Sequence, residues 1–290
     1  MQYGGAPILQ FNQGRSDGPP EVDFVDELAD DVKLIENAVN VKLFYYGPRT
    51  WMVGEVEPLK KLQGPSTRLE IISRIISEYP TVNLSSQTEF YRVRKNPVVS
   101  NDIAQYDSPP AHFAGSGRLE SVDLPILYGS QDLQVCLHEC RVTAEDDIFL
   151  ATLMITKELK MLDLTEVLIE ENMTEFESLD MAVHMLFLAG NHSYEISRQI
   201  SIEAVKAGFD GIIYPSYFSL LRTGFVPFET SYGISHRIVP RMAKWEKQKM
   251  IPNLALFGRP ILQGKLLVQS INRVIISRVN YEMHFGPAKC

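Results

Sequence analysis

The sequence predicts a mixed α+β fold with a sheet-rich centre, because strand-like and helix-like segments follow one another without an internal repeat. The segment EFYRVR, which begins at Glu89, alternates and is rich in aromatic and β-branched residues, as is typical of a strand. Residues 147–155 form an apolar run of strand length, which predicts a central strand of the sheet. Within residues 127–141, apolar side chains recur at the i, i+3, i+4, i+7 spacing of a helix that packs on a core.

Composition and charge exclude several classes of protein. Hydrophobic residues make up 45% of the 290 residues and charged residues 22%, which is ordinary for a soluble chain with a full core. The net charge of −8 opposes a broad nucleic-acid surface. No apolar run is long enough for a membrane span, and the N-terminus lacks a basic start followed by a long apolar run, so we expect neither a membrane span nor a secretory signal. We expect a cytoplasmic location. Cys136 and Cys140 share a helix face and are predicted to be core residues rather than a disulfide.

The chain is predicted to have three parts, which are an N-terminal helical extension (1–85), a catalytic domain (86–240) and a C-terminal β extension packed on that domain (241–290). The extension contains two amphipathic helix patterns, at residues 21–41 and 66–78, and the second is expected to stop at Tyr79-Pro80. It contains no recognisable chemistry.

The catalytic part begins with the strand at Glu89 and continues with a short apolar segment that ends at Tyr128. Gly129 and Ser130 are expected to form a turn into a helix of roughly a dozen residues. The remaining predicted elements are strands at 161–164, 211–214 and 236–239 and helices at 175–189 and 194–207. In the C-terminal part we expect an irregular linker over 245–253 and strands at 266–270 and 274–281.

Three polar residues stand at the ends of apolar elements: Arg92, Glu139 and Ser216. Glu139 lies on the flank of the apolar helix stripe, where one fixed negative charge could serve a site. The alternative is a solvated helix glutamate. Spacing alone does not connect residues so far apart in the chain.

The ordered set FYRVR, GSGR followed by LYGSQDLQVCLHE, and DGIIYPS resembles the RES domain, which is named for an Arg, a Glu and a Ser in this order. The resemblance runs from about residue 90 to 239, and GRPILQGKL, SINRV and HFGP resemble the tail of longer members. It implies a fold similar to ADP-ribosyltransferases of the diphtheria-toxin kind, with NAD+ as substrate rather than as a cofactor. Smaller members are toxins of toxin–antitoxin pairs that act as NAD+ glycohydrolases or phosphorylases, and some ADP-ribosylate a protein.

By this resemblance, Arg92, Glu139 and Ser216 match the catalytic set and Tyr128 the family tyrosine. Cleavage of the nicotinamide–ribose bond develops positive charge on the ribose, which the Glu139 carboxylate could stabilise. The Arg92 guanidinium suits a diphosphate, and the Tyr128 ring could stack on nicotinamide. Ser216 could hydrogen-bond the substrate or orient Glu139, and it is not expected to be a nucleophile.

Further substrate contacts are expected from Gly117, Arg118 and Arg94. The loop at residues 115–118 could offer backbone donors to phosphate, or form a turn with a solvated arginine. Family members often have Trp-Asn where this chain has Leu119-Glu120, so the chain departs from the family pattern in this loop. Arg94 lies on the same side of its strand as Arg92, so either guanidinium could bind the diphosphate.

The acceptor of the ADP-ribosyl group stays open among water, phosphate and a protein. Expected partners are NAD+, inorganic phosphate, and a cognate antitoxin or protein target, with self-association also possible. The alternatives to an NAD+-degrading enzyme are a protein ADP-ribosyltransferase and a non-enzymatic interaction protein. No metal is expected, because the side chains of Cys136, His138 and Cys140 diverge on a helix.

Overall fold

An eight-stranded mixed sheet organises residues 56–279, which form one compact unit of this computed structural model. The structure describes residues 10–11, 22–23, 56–110, 117–189, 193–225, 229–231 and 234–279. In the other unit, the described residues are two short antiparallel strands, β1 (Gln10–Phe11) and β2 (Val22–Asp23). The helix predicted over residues 21–41 therefore does not include Val22–Asp23, and the rest of that prediction lies outside the described residues.

The elements of the larger unit follow in chain order, with short 3-10 turns at Ile103–Tyr106, His236–Ile238 and Pro240–Met242. Among the described residues, no helix has the length and apolar character needed to cross a membrane. The elements are α1 (Glu57–Gln63), α2 (Arg68–Glu78), β3 (Thr81–Leu84), β4 (Glu89–Lys95), β5 (Ile126–Ser130), α3 (Leu133–Glu139), β6 (Ile148–Ile155), β7 (Leu159–Asp163), α4 (Leu179–Leu188), α5 (Tyr194–Lys206), β8 (Gly211–Pro215), α6 (Ser219–Thr223), β9 (Thr230–Ser231), β10 (Ile234–Ser235), α7 (Ala243–Gln248), β11 (Pro252–Phe257) and β12 (Leu266–Val274).

The strand order in the sheet is β12-β6-β4-β5-β11-β8-β7-β3. Its neighbours pair antiparallel except β7 and β8, which are parallel. The predicted α+β class is confirmed. The apolar run at residues 147–155 is a strand, as predicted, but it lies one position from the β12 edge rather than at the centre of the sheet.

Helices cover one face of the sheet. Side chains from α2, α4 and α5, such as Ile72, Phe187 and Ile200, form a buried cluster with sheet residues that include Ile212 and Phe257. The opposite face has its own buried cluster, which includes Phe90, Leu127, Leu153, Leu254 and Leu256. The strands between these clusters are therefore buried on both sides.

Helix α3 packs on the sheet as the apolar stripe predicts, with Cys136 buried against Val93 and Leu150. It is shorter than predicted, since it spans seven residues. Its first turn is capped by Asp132, whose carboxylate accepts a hydrogen bond from the backbone of Val135 at 2.9 Å. The predicted turn at Gly129 and Ser130 is wrong, because both residues belong to β5.

The C-terminal segment contributes to the interior of the sheet. The stretch predicted as an irregular linker, residues 245–253, contains part of α7 and the start of β11. Strand β11 lies between β5 and β8, so the boundary drawn at residue 240 falls inside the compact unit. The boundary at residue 85 does so as well, because α1, α2 and β3 belong to the same unit.

Two further strand predictions differ from the structure. Residues 236–238 form a 3-10 turn rather than a strand, and Ser235 caps this turn by accepting a hydrogen bond from the backbone of Arg237. Strand β12 runs without a break to Val274, past a register irregularity between Val268 and Ser270. The second strand expected at 274–281 is not formed over residues 275–279, and its end lies outside the described residues.

The position of β11 predicts the effect of truncating its side chains. Leu256 is 1% exposed, and Leu256→Ala should lower the free energy of unfolding by about 2–5 kcal/mol, since it leaves a cavity in the core. Leu267→Ala on β12, where the side chain is 50% exposed, is the control and should change it by less than about 1 kcal/mol. Chemical denaturation measures both. Equal effects of the two substitutions would contradict a central β11.

Candidate active site

The Glu139 carboxylate at the end of α3 is held by two side chains from other parts of the chain. Its Oε1 atom accepts a hydrogen bond from Ser216 Oγ at 2.7 Å and another from Asn253 Nδ2 at 2.6 Å. Ser216 and Asn253 are 1% and 3% exposed, whereas Glu139 is exposed. Within the described residues, no donor reaches Oε2. One oxygen is therefore fixed by buried donors, and the other is available to a ligand.

The sheet register positions Asn253. Tyr91, Ser130, Asn253 and Tyr214 lie opposite one another across β4, β5, β11 and β8. Paired residues of antiparallel strands point to the same face of a sheet, so these four side chains share a face. Burial, and then the charge of Glu139, raise the pKa of Tyr214 well above its ordinary value. The Tyr214 phenol beside Asn253 therefore stays protonated.

Both ends of helix α3 contact the segment that follows β8. At its start, Asp132 forms an ion pair with Arg222 at 2.9 Å. At its end, the rings of His138 and Phe218 stack with their centroids 5.6 Å apart. The Ser216 hydroxyl also accepts a hydrogen bond from the backbone of Phe218 at 3.1 Å. These contacts fix the distance between Glu139 and its serine donor.

The Arg92 side chain leaves the sheet on the other face. It follows Tyr91 in β4, and consecutive side chains of a strand point to opposite faces. Since Tyr91 shares a face with Asn253, Arg92 points away from that face. No hydrogen bond joins Arg92 to Glu139 or Ser216. The structure thus brings two of the three sequence-predicted catalytic residues into contact and leaves Arg92 apart from them.

Arg92 and Arg94 donate to backbone carbonyls. The terminal nitrogens of Arg92 donate to Tyr128 O at 2.7 Å and Asp107 O at 3.0 Å. Arg94 donates to Gln105 O at 2.6 Å and to the same Asp107 O at 2.7 Å. Burial, and then the charge of Arg94, lower the pKa of Arg92 to about 9, so the guanidinium is still protonated at neutral pH. A direct contact of either arginine with a diphosphate stays a prediction.

Residues 117–120 fold back against the Tyr128 hydroxyl. The Tyr128 hydroxyl accepts a hydrogen bond from the backbone of Leu119 at 3.0 Å, and burial raises its pKa above the ordinary range. The backbone N–H of Gly117 donates to Glu120 Oε1 at 2.6 Å. A Cβ at Gly117 would lie 2.9 Å from the Tyr128 hydroxyl, which explains the glycine. Glu120, at the point where the chain departs from the family pattern, thus occupies the donor that was expected to contact phosphate.

Arg118 stabilises the end of a helix. Its terminal nitrogens donate to Leu186 O at 3.2 Å and Ala189 O at 2.9 Å, at the C-terminus of α4, where a positive charge is favourable. Its guanidinium also lies 4.8 Å from the centroid of the Tyr194 ring. The Arg118 guanidinium therefore binds carbonyls at a helix end, and its contact with a phosphate stays a prediction. The preceding residues 115 and 116 lie outside the described residues.

Sequence reasoning missed Asn253 and Tyr214. Asn253 was assigned to a linker, although the apolar residues 254–257 that follow it are typical of a buried strand. Tyr214 was recognised only as part of an apolar strand. What brings both residues to Glu139 is the pairing of β11 with β8, which no local pattern indicates.

A separate polar cluster contains Glu229, His236 and Glu246, whose potential ligand atoms lie within 4.8 Å of one another in the described part of the chain. The ammonium group of Lys249 donates to Glu229 at 2.9 Å and to Glu246 at 2.5 Å. It also lies 3.5 Å from the centroid of the Trp245 ring. A lysine therefore already supplies positive charge to these carboxylates.

Fold and site together define an α+β protein that presents one anchored carboxylate at the end of a short helix. Residues 89–228 match the family model of the RES domain, the family that the sequence resembles. A comparison with curated proteins gives no match. Among solved structures, the chain is similar to one in the crystal structure of the M. tuberculosis MbcT–MbcA toxin–antitoxin complex, at 16% identity and a TM-score of 0.37, over 70% of this chain and 91% of that chain.

The two carbonyl contacts of Arg92 give a test of its role. Lysine has one terminal nitrogen and cannot span Tyr128 O and Asp107 O as the guanidinium does. Arg92→Lys should therefore lower the free energy of unfolding by about 1–3 kcal/mol, because a buried acceptor loses its donor. Arg273→Lys, at a site where the side chain is 66% exposed, is the control. Unchanged stability of Arg92→Lys together with a raised KM for NAD+ would instead assign Arg92 to substrate binding.

Proposed function

We propose that the protein cleaves the nicotinamide–ribose bond of NAD+ and transfers the ADP-ribosyl group to water or phosphate. The observation that carries this proposal is the Glu139 carboxylate, with Oε1 bound by Ser216 and Asn253 and Oε2 without a protein donor. The RES domain match supports NAD+ as the substrate class. The exposed position of Glu139 gives a small acceptor access to the reacting carbon.

The chemistry needs one fixed negative charge. The bond between the ribose C1 carbon and the nicotinamide nitrogen breaks, and its electron pair leaves with nicotinamide, which departs as a neutral molecule. Positive charge develops on the ribose, as in glycoside cleavage. Glu139 Oε2 stabilises that charge and accepts from a ribose hydroxyl. Water or phosphate then forms a bond to C1, and water loses its proton to solvent.

Ser216 serves this reaction by orienting Glu139. Its hydroxyl donates a hydrogen bond to the carboxylate, and its oxygen accepts one from the backbone N–H of Phe218, so Ser216 holds Glu139 in place and is not proposed as a nucleophile. Tyr128, on the same sheet face as Asn253, is the proposed ring for nicotinamide. Arg92 fixes the backbone of β5 through Tyr128 O, and a contact of Arg92 or Arg94 with the diphosphate stays a prediction.

A chain that consumes NAD+ must be restrained in its host. We therefore include a protein inhibitor of the antitoxin kind among its partners, in line with the toxin-like role of the family. Transfer of ADP-ribose to a protein side chain uses the same carboxylate and the same bond cleavage. The identity of the product shows whether water, phosphate or a protein side chain accepts the ADP-ribosyl group.

The proposal predicts that the purified protein releases nicotinamide from NAD+. Glu139→Gln should reduce the rate by about 100-fold or more, because the amide has no negative charge to stabilise the ribose. Ser216→Ala should reduce it less, by about tenfold, since one of two donors to Oε1 remains. Liquid chromatography with mass spectrometry measures nicotinamide and identifies ADP-ribose, its phosphorylated form or a modified protein.

Glu145→Gln is the matched control, because Glu145 is exposed near the same end of α3 and makes no contact with Ser216. It should leave the rate unchanged. If wild-type protein leaves NAD+ intact with and without phosphate, and no protein becomes modified, the proposed function is wrong. Retained activity in Glu139→Gln would remove the carboxylate from the mechanism.

A further inference from the structure

Asn253 comes from β11, a strand outside the residues that match the RES domain model. We propose that Asn253 is a positioning residue, which holds the Glu139 carboxylate so that Oε2 faces the substrate. The consequence for catalysis rests on the proposed function. The contact itself does not, and it can be tested separately.

The side chain of Asn253 is not needed to build its strand. Its backbone lies in the antiparallel ladder between Ser130 on β5 and Tyr214 on β8. An apolar residue could fill the same position, as Leu254 and Ala255 do next to it. A buried amide is costly unless it is hydrogen-bonded, and this one donates to Glu139 at 2.6 Å. The polar side chain is thus explained by its contact with the carboxylate together with its side-chain hydrogen bond to the buried Tyr214 phenol.

An amide is suited to orienting a carboxylate that must remain charged. Asn253 donates a hydrogen bond without adding charge, so it fixes Oε1 without neutralising Glu139. A lysine or arginine at this position would form an ion pair and weaken the field at Oε2. Glu139 is exposed at the end of a seven-residue helix, and its flexible side chain would otherwise sample several rotamers. Two buried donors restrict it to one arrangement before substrate binds.

The kinetics of two substitutions at Asn253 distinguish a role in positioning Glu139 from a purely structural role. Asn253→Ala should lower kcat for nicotinamide release by about 10- to 100-fold, with KM little changed, because one hydrogen bond to a charged group is lost. Asn253→Asp keeps the shape but places two carboxylates in contact, and their mutual repulsion raises the pKa of one of them. Its activity should be present at low pH, where the pair shares a proton, and lost as the pH rises.

The pH profile reports on this pair because Asn253→Asp and wild type share every other ionisable group. Burial raises the pKa of Tyr128 and Tyr214, the two tyrosines on the same sheet face as residue 253. Wild-type protein should lack the alkaline loss seen in Asn253→Asp. Asn272→Ala, at an exposed position of β12, is the control and should match wild type. A fall in stability with an unchanged kcat and pH profile in both Asn253 variants would overturn the proposal.

The contact can also be measured without any reaction. In a proton–nitrogen NMR spectrum of the full chain, the Asn253 side-chain amide should show the shift of a proton bound to a carboxylate. Glu139→Gln should move that resonance, and Glu145→Gln should not. If Glu139→Gln leaves the Asn253 resonance unchanged, the positioning role is refuted, whether or not the protein cleaves NAD+. Normal NMR behaviour without NAD+ cleavage would instead reject the proposed function and retain the contact.

Discussion

Two uncharged donors converge on one oxygen of the Glu139 carboxylate, and the usefulness of the site depends on that interaction. Glu139 lies at the exposed end of a short helix, where an unrestrained side chain would be mobile and well solvated. Ser216 and Asn253 are buried, Asn253 lies in β11 and Ser216 directly follows the neighbouring strand β8, so the position of Oε1 is set by the sheet. Neither donor is a cation, so no ion pair offsets the charge of the carboxylate. This combination gives a fixed negative group that can respond to charge developing on a ligand.

The sheet register is the constraint behind that interaction. In β11, Leu254 and Leu256 pack into one core cluster, and Ala255 and Phe257 pack into the other. A slip by one residue would exchange the faces and turn Asn253 away from Glu139. The apolar packing of β11 therefore fixes a polar contact. It also explains how a segment beyond the RES domain match contributes to the centre of the sheet.

The sequence predicted the elements with strong local periodicity. Strand β4 alternates, and helices α2, α4 and α5 have apolar stripes and clear stops, so each was found within a few residues of its bounds. Strand β11 was missed because its apolar run is short, is buried on both faces and so does not alternate. The turn expected at Gly129 and Ser130 was wrong, because the pairing of β5 with β11 keeps both residues in a strand.

The site was predicted in part, through the resemblance rather than through spacing. Glu139 and Ser216 are 77 residues apart, and only the family pattern connected them. Asn253 is 114 residues from Glu139 and has no local mark of function. The partners of Arg92 are backbone carbonyls, which a sequence cannot indicate. Its separation from Glu139 follows from strand pairing, since one position along β4 decides the face on which a side chain lies.

The most direct test of this account is a crystal structure of the full chain with a carbocyclic NAD+ analogue, whose nicotinamide bond cannot be cleaved. We expect Glu139 Oε2 to lie about 3 Å from a hydroxyl of the nicotinamide-side ring, with Oε1 still bound by Ser216 and Asn253. An analogue bound at another surface, or a Glu139 that turns away from both donors to meet it, would contradict the account.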